Sequence, residues 1–383
     1  MDLVTILLSV VVILFLANAF KKQKQESNKN LPPGPKPLPI IGNIHMMDVG
    51  RPQKTFMQMA KEYGSVFSIQ LGMSKSVILH GYDTIKEALV DHAEFFSDRP
   101  QSPVFTETTK GYGVVFANGE NWKVMRRFTI STLRDYGMGK KTIEDKIIEE
   151  AECLVQKLRS YEGKPFSNVS SINAAVTNII VAILLSKRFD YEDPTILRLM
   201  GSVSENIKLL SSPWVMGKLE STKFYHNENL INLVSDLFGA GMETTSTTLR
   251  WAILLMMKYP EIQKKVQNEI EQVMGSAQPQ VEHRKQMPYT DAVIHEIQRF
   301  ADLAPVGLHA TARDVTFKGY FIPGGTTVMA LLHSALRDKK YFEKPDEFYP
   351  EHFLDSEGNF KKNEAFIPFS IGKRSCAGET LAR

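Results

Sequence analysis

Cysteine is scarce in this 383-residue chain. Cys153 and Cys376 are the only two, so no disulfide framework is available and the folded part belongs in a reducing compartment. Charge of one sign is lacking too. The 46 Lys and Arg nearly cancel the 43 Asp and Glu, and a net charge of +3 is too small to recruit nucleic acid by bulk electrostatics. There is no internal repeat and no low-complexity tract, which excludes a solenoid and a disordered tail protein. No Gly-rich nucleotide fingerprint follows a strand, so any electrons used here must be delivered from outside. What the chain does have is apolar substance: 43% hydrophobic and 10% aromatic residues, enough for one large buried core.

Long hydrophobic runs are limited to one. From Leu3 to Phe20 no residue is charged, and as a helix the run would extend about 27 Å, close to the hydrocarbon thickness of the endoplasmic reticulum bilayer. Ala17-Asn18-Ala19 offers a cleavage site, the alternative reading. Asp2 before the run and Lys21, Lys22, Lys24 and Lys29 after it favour an uncleaved anchor, with the following domain in the cytosol. On that side the sequon Asn168-Val169-Ser170 stays unused. Leu31-Pro32-Pro33-Gly34-Pro35-Lys36-Pro37-Leu38-Pro39 cannot be helix or central strand and reads as a stiff, extended spacer. The expected organisation is a transmembrane signal-anchor helix over 1–20, a basic and Pro-rich linker over 21–39, and one large domain over 40–383.

Within that domain, Gly64 to His80 alternates like a hairpin turning at Gly72. Helical periodicity dominates the rest, at Ile143 to Leu158, Ala174 to Leu185, Asn229 to Tyr259, Pro260 to Met274 and Tyr289 to Phe300. Short β-type segments return at Val315 to Phe317 and Thr326 to Ala330. The expected fold class is mainly α with small β-sheets.

Near the C-terminus, Phe369-Ser370-Ile371-Gly372-Lys373-Arg374-Ser375-Cys376-Ala377-Gly378 sets a cysteine between two glycines that permit tight backbone geometry. Glu379 to Ala382 read as the first turn of a helix. A sulfur at a helix N-terminus, beside Arg374 and backbone N–H groups, is expected to be held as thiolate, the form that ligates metal. The bland alternative for a lone cysteine is a buried small hydrophobe.

This stretch resembles the signature F-x-x-G-x-R-x-C-x-G of the haem-thiolate monooxygenases, the cytochrome P450 family, and every fixed position is present. The resemblance implies that Cys376 is the axial ligand of haem b iron, a thiolate that favours O–O cleavage. Glu296-Ile297-Gln298-Arg299 is similar to the family's E-x-x-R, and Pro350-Glu351-His352-Phe353 to its later partner segment; the implied role of Glu296, Arg299 and His352 is structural. Trp122 and Arg126 match W-x-x-x-R. With Arg99, Arg374 and His309 they are implied to bind the haem propionates, although Leu308-His309 is one residue short of the family's Leu-Pro-His. Gly239-Ala240-Gly241-Met242-Glu243-Thr244 resembles the oxygen-side groove motif. There the Thr244 hydroxyl can bond back to the Ala240 carbonyl, and Glu243 and Thr244 are implied to relay protons.

The anchor, the Pro-rich spacer and Met287-Pro288-Tyr289-Thr290-Asp291-Ala292 look like family two of the animal microsomal enzymes. That implies an endoplasmic reticulum membrane location and lipophilic substrates: xenobiotics, fatty acids and steroids. They would sit in a pocket lined by Val115, Phe116, Asp236, Ala240 and Leu308. It also implies O2 as oxidant and electrons from NADPH through a membrane-bound flavoprotein, NADPH–cytochrome P450 reductase, with cytochrome b5 as second donor. An acidic donor would meet Lys123, Arg127, Arg134, Lys140, Lys373 and Arg383.

The chain also departs from the pattern. Pro213-Trp214-Val215-Met216 runs almost directly into Gly217, where the family has several helices that roof the pocket, and the helix after Cys376 stops at Arg383. The implied fold is therefore incomplete. Two readings follow: a monooxygenase represented by a shortened chain, or a non-catalytic, membrane-anchored product that binds haem or reductase without turnover.

Overall fold

The computed structural model describes residues 30–101, 109–135, 141–210 and 226–382. The expected anchor and the Pro213–Gly217 junction lie outside these residues. Among the described residues no helix is long and apolar enough to cross a membrane.

The fold is mainly helical with two small sheets. Pro52 opens α1 (Pro52–Tyr63), which ends against Gly64 at a φ of 88°. Next come β1 (Val66–Leu71) and β2 (Ser74–Leu79), antiparallel, with Val66 opposite Leu79. The sheet is completed by β3 (Gly307–Ala310) and β6 (Thr327–Ala330) in the order β1-β2-β6-β3, with β2 and β6 parallel. A separate hairpin pairs β4 (Val315–Phe317) with β5 (Tyr320–Ile322). α2 (Tyr82–Lys86) runs into a wider turn, Glu87–Asp91, and α11 (Leu332–Leu336) follows β6. Between them these elements bury Val77, Leu79, Ile85, Phe96, Phe317, Val328 and Phe353 in one apolar core.

A second body is helical. α3 (Gly119–Asp135) buries Trp122, Met125, Thr129 and Leu133 at helical spacing and leaves Glu120, Lys123, Arg127, Arg134 and Asp135 exposed. α4 (Lys141–Arg159) packs on α5 (Val169–Leu185), and α5 and α6 (Pro194–Leu210) pack on the 32-residue α7 (Asn227–Lys258). α5 is apolar nearly all round because it is the inner member, packing Ile172, Val176 and Ile180 against Phe238 and Met242 of α7. α8 (Pro260–Met274), α9 (Val281–Arg284) and α10 (Pro288–Ala301) follow, each of the two longer ones opened by proline, and α12 (Glu379–Ala382) closes the described chain.

α7 runs unbroken through Gly239 and Gly241, and the two glycines face different surroundings. A Cβ on Gly241 would meet Ile180 Cδ1 at 2.9 Å, so this glycine seats α5, whereas Gly239 faces open space. The Pro-rich stretch, expected to be a stiff, extended spacer, is docked onto the domain from Asn30 on. Phe321 N–H donates to Asn30 O at 2.6 Å, Ser68 N–H to Pro33 O at 2.7 Å and the Ser68 hydroxyl to Pro32 O at 2.9 Å.

Candidate active site

The sulfur loop is built by backbone strain held in place. Ser370 and Gly372 both have positive φ, 59° and 76°, and a Cβ on Gly372 would meet the Leu89 carbonyl oxygen at 1.9 Å. Only glycine lets the loop press onto the turn at Glu87–Asp91. One 3₁₀ turn, Gly372–Arg374, then brings Cys376 N–H to the Phe369 carbonyl at 2.9 Å. The Cys376 side chain is reachable by solvent, yet protein crowds it from the loop side. This crowding raises the thiol pKa and outweighs the N–H groups of Gly378 and Glu379 and the nearby Arg126. In the loop by itself the direction is thus toward the thiol, and a thiolate at Cys376 would need a further positive partner such as a metal ion.

Beside the sulfur, the fold gathers three arginines and an indole. Arg374 is buried and donates to the carbonyls of Ser97 at 2.6 Å and Ala117 at 2.7 Å, with its guanidinium 3.8 Å from the Trp122 ring centroid. Arg126 donates to the Ser375 carbonyl at 2.7 Å. Arg99 donates to the carbonyls of Val115, at 3.1 Å, and Leu308. Burial and mutual repulsion lower the pKa of Arg99 to about 10 and of Arg374 to about 9. Trp122 Nε1 is buried with no hydrogen-bond partner. A buried donor left unpaired among repelling cations is costly and calls for an anionic acceptor. An apolar macrocycle with carboxylate arms fits this cradle, and a lone sulfur donor suits a metal that arrives with its other ligands.

The other expected site residues fall into separate groups. His309 on β3 is buried, its Nδ1 3.0 Å from the Phe96 carbonyl, and burial with Arg99 nearby lowers its pKa to about 3. With Nδ1 donating to the Phe96 carbonyl, Nε2 is the ring atom left to face a bound group. Asp236 does not offer a free carboxylate to a pocket. Its Oδ2 accepts the N–H of Val114 at 2.7 Å and of Val115 at 3.0 Å. Val115 and Phe116 are half-buried, and Ala240 and Leu308 are exposed. Thr244 Oγ1 donates to the Ala240 carbonyl at 2.6 Å, while Glu243 turns along α7 to Arg250 and Thr247, both at 3.3 Å.

Glu296, Arg299 and His352 come together without solvent. Arg299 grips Glu296 with two bonds of 2.7 Å and donates to the carbonyls of Leu336, Pro345 and Glu347. His352 Nδ1 lies 3.2 Å from Glu296, and its Nε2 accepts Lys344 N–H at 3.1 Å. Of the basic residues, Arg127 and Arg134 are exposed on α3, Lys123 pairs with Glu120 at 2.6 Å and Lys373 with Glu94 at 3.2 Å. Lys140 and Arg383 lie outside the described residues. Sequence reasoning missed Arg250 and Asn118. The Asn-Gly ahead of α3 was the available signal for Asn118, a residue type that starts helices.

Comparison with known proteins bears on this geometry. The family model described as Cytochrome P450 matches residues 32–220 and 216–383, two stretches that meet where the sequence looked shortened. The chain is similar to cytochrome P450 2C11 of Rattus norvegicus, 46% identical over 419 residues, covering 92% of this chain and 83% of that protein. It is also similar to cytochrome P450 2C8 of Homo sapiens, 44% identical over 416 residues, with 93% of this chain and 85% of that protein covered. Cytochrome P450 2C25 of Mesocricetus auratus is 44% identical over 444 residues, covering 100% of this chain and 90% of that protein.

Proposed function

The chain belongs to the cytochrome P450 family, and on that footing we propose that it is a haem-thiolate monooxygenase of the endoplasmic reticulum membrane, acting on small lipophilic molecules. Xenobiotics, fatty acids and steroids are the substrate class. Electrons come from NADPH through NADPH–cytochrome P450 reductase, with cytochrome b5 as a second donor. The observation that carries the reading is the unpaired, buried Trp122 Nε1 set among Arg99, Arg126 and Arg374 beside the Cys376 loop.

Trp122, Arg99, Arg126 and Arg374 would hold the propionates of haem b by charge-assisted hydrogen bonds. Cys376 would ligate iron, and metal coordination would remove the proton that burial alone favours keeping. Haem b, once bound, supplies the activation of O2 that places one oxygen atom on a substrate C–H and leaves the other as water. Thr244 spends its hydroxyl proton on the Ala240 carbonyl, so its Oγ1 lone pairs stay available to accept a hydrogen bond in the groove. Glu243, whose carboxylate accepts from Arg250 and Thr247, would pass protons arriving from solvent on toward Thr244. Val115, Phe116, Ala240 and Leu308 face substrate, with the loop that carries Val115 and Phe116 latched by Asp236.

The deciding experiment is the ferrous–carbon monoxide difference spectrum of this chain and of Cys376→Ser. A strongly red-shifted Soret band lost in the serine variant is expected. Haem retained with the same spectrum after loss of the sulfur would overturn the assignment, and a chain that takes up no haem would favour the non-catalytic reading.

A further inference from the structure

The residue that ties the cradle together is uncharged. Asn118 lies where the loop of Val114 to Ala117 enters α3. Its carbonyl accepts Trp122 N–H at 3.3 Å, the first bond of the helix that carries Trp122 and Arg126. Its side-chain oxygen accepts two hydrogen bonds, from Arg99 N–H at 2.7 Å and from Arg374 Nη2 at 3.0 Å. Its side-chain nitrogen donates to the Arg99 carbonyl at 2.9 Å. The carboxamide thus pairs with the Arg99 backbone from both sides, as a neighbouring strand would. It also holds the Arg374 guanidinium with the same oxygen. A carboxamide puts acceptor and donor on two separate atoms, whereas a carboxylate has no proton and a hydroxyl carries both functions on one oxygen.

We infer that Asn118 is the positioning residue of the anion cradle: one neutral amide that sets the mutual placement of Arg99, Arg374 and the start of the Trp122–Arg126 helix. The inference rests on the proposed propionate-binding role of those groups. Neutrality is part of the device. Arg374 feels the charges of Arg99 and Arg126, Arg99 feels that of Arg126, and the carboxylate that offsets Arg374 is Asp98. A second carboxylate at position 118 would satisfy Arg374 internally and compete with an incoming anion, whereas an amide orients the guanidinium and leaves its charge to be claimed.

The test uses the full chain, titrated with haem and with haem dimethyl ester, whose propionates cannot ionise. The unchanged chain is expected to prefer free haem by at least about ten-fold, the equivalent of one charge-assisted hydrogen bond. Asn118→Ala and Asn118→Asp are expected to erase most of that preference by weakening free haem alone, with ester affinity moved less than two-fold. Should both forms weaken by the same factor, or neither change, Asn118 is merely structural or idle and the inference is overturned. If Asn118→Ala does not fold, Asn118→Asp, which keeps both acceptor contacts, carries the comparison. An unchanged chain that binds haem and its ester equally well would instead sink the cradle reading, a failure separate from that of Asn118.

Discussion

Asp236 takes two backbone N–H groups on a single carboxylate oxygen, and burial still leaves its pKa above the ordinary carboxylate value. Because the folded chain holds that proton more tightly than the unfolded chain, Asp236 makes stability fall as pH rises from the ordinary carboxylate range through the raised value. Asn keeps an acceptor oxygen for both N–H groups and removes the charge. The thermal midpoint of Asp236→Asn followed against pH should therefore decline less steeply through that window. Asp98, also raised by burial, sustains the remainder of the slope. An unchanged slope would mean that the Asp236 carboxylate is better solvated than its position implies. At this scale the sequence was informative wherever a role is local. The Cys376 loop and the Glu296–Arg299 pair each lie within a few residues of chain, so spacing could pick them out, while the roles expected of them came from the resemblance. Asp236, His309 and Asn118 depend on partners more than a hundred residues away, such as Val115, Phe96 and Arg374, and no spacing rule supplies those.

At the level of elements, periodicity located α4, α7, α8 and α10 to within two residues, most of them bounded by proline or glycine, whereas α5, apolar nearly all round, starts at Val169, five residues before the expected Ala174. What it could not supply is pairing. β2 and β6 lie side by side and parallel although some 250 residues separate them, and the docked Pro-rich segment reaches both sheets. The same limit hid the purpose of Gly241. Read along the chain it is a helix weakener; read across the α5–α7 interface it is the seat for Ile180. Gly241→Ala should be nearly neutral, since the contacted atom is the movable end of Ile180 and alanine favours the helix. Gly241→Val adds volume that the packed interface cannot absorb and should cost about 1–3 kcal/mol. Urea unfolding of the two variants separates the cases, and equal midpoints would show the interface to be looser than the contact implies.

Across the whole molecule, α3 connects two tasks by its two faces. Trp122, Met125, Thr129 and Leu133 turn inward, with Arg126 reaching the Cys376 loop, while Lys123, Arg127 and Arg134 stand outside. A partner on the outer face would thus be separated from the cradle by little more than one helix diameter, about 10 Å. The outward charges are not equivalent. Lys123 and Lys373 are partly neutralised by Glu120 and Glu94, whereas Arg127 and Arg134 form no ion pair among the described residues and keep their field for a partner. Exposed pairs of this kind contribute little to folding, so their loss should leave the haem spectrum and the thermal midpoint unchanged. Long-range steering is another matter, because a low-salt association rate responds to every uncompensated charge on the face. Under the proposed function, reversing Arg127 and Arg134 to Glu should slow reductase-supported turnover by about ten-fold or more at low salt, with the gap closing as ionic strength shortens the Debye length. Reversing Lys123 alone should do less, since Glu120 already offsets it. If the double reversal left both the rate and its salt dependence unchanged, the outer face of α3 would not be the electron-entry surface, and the acidic partner would have to dock elsewhere.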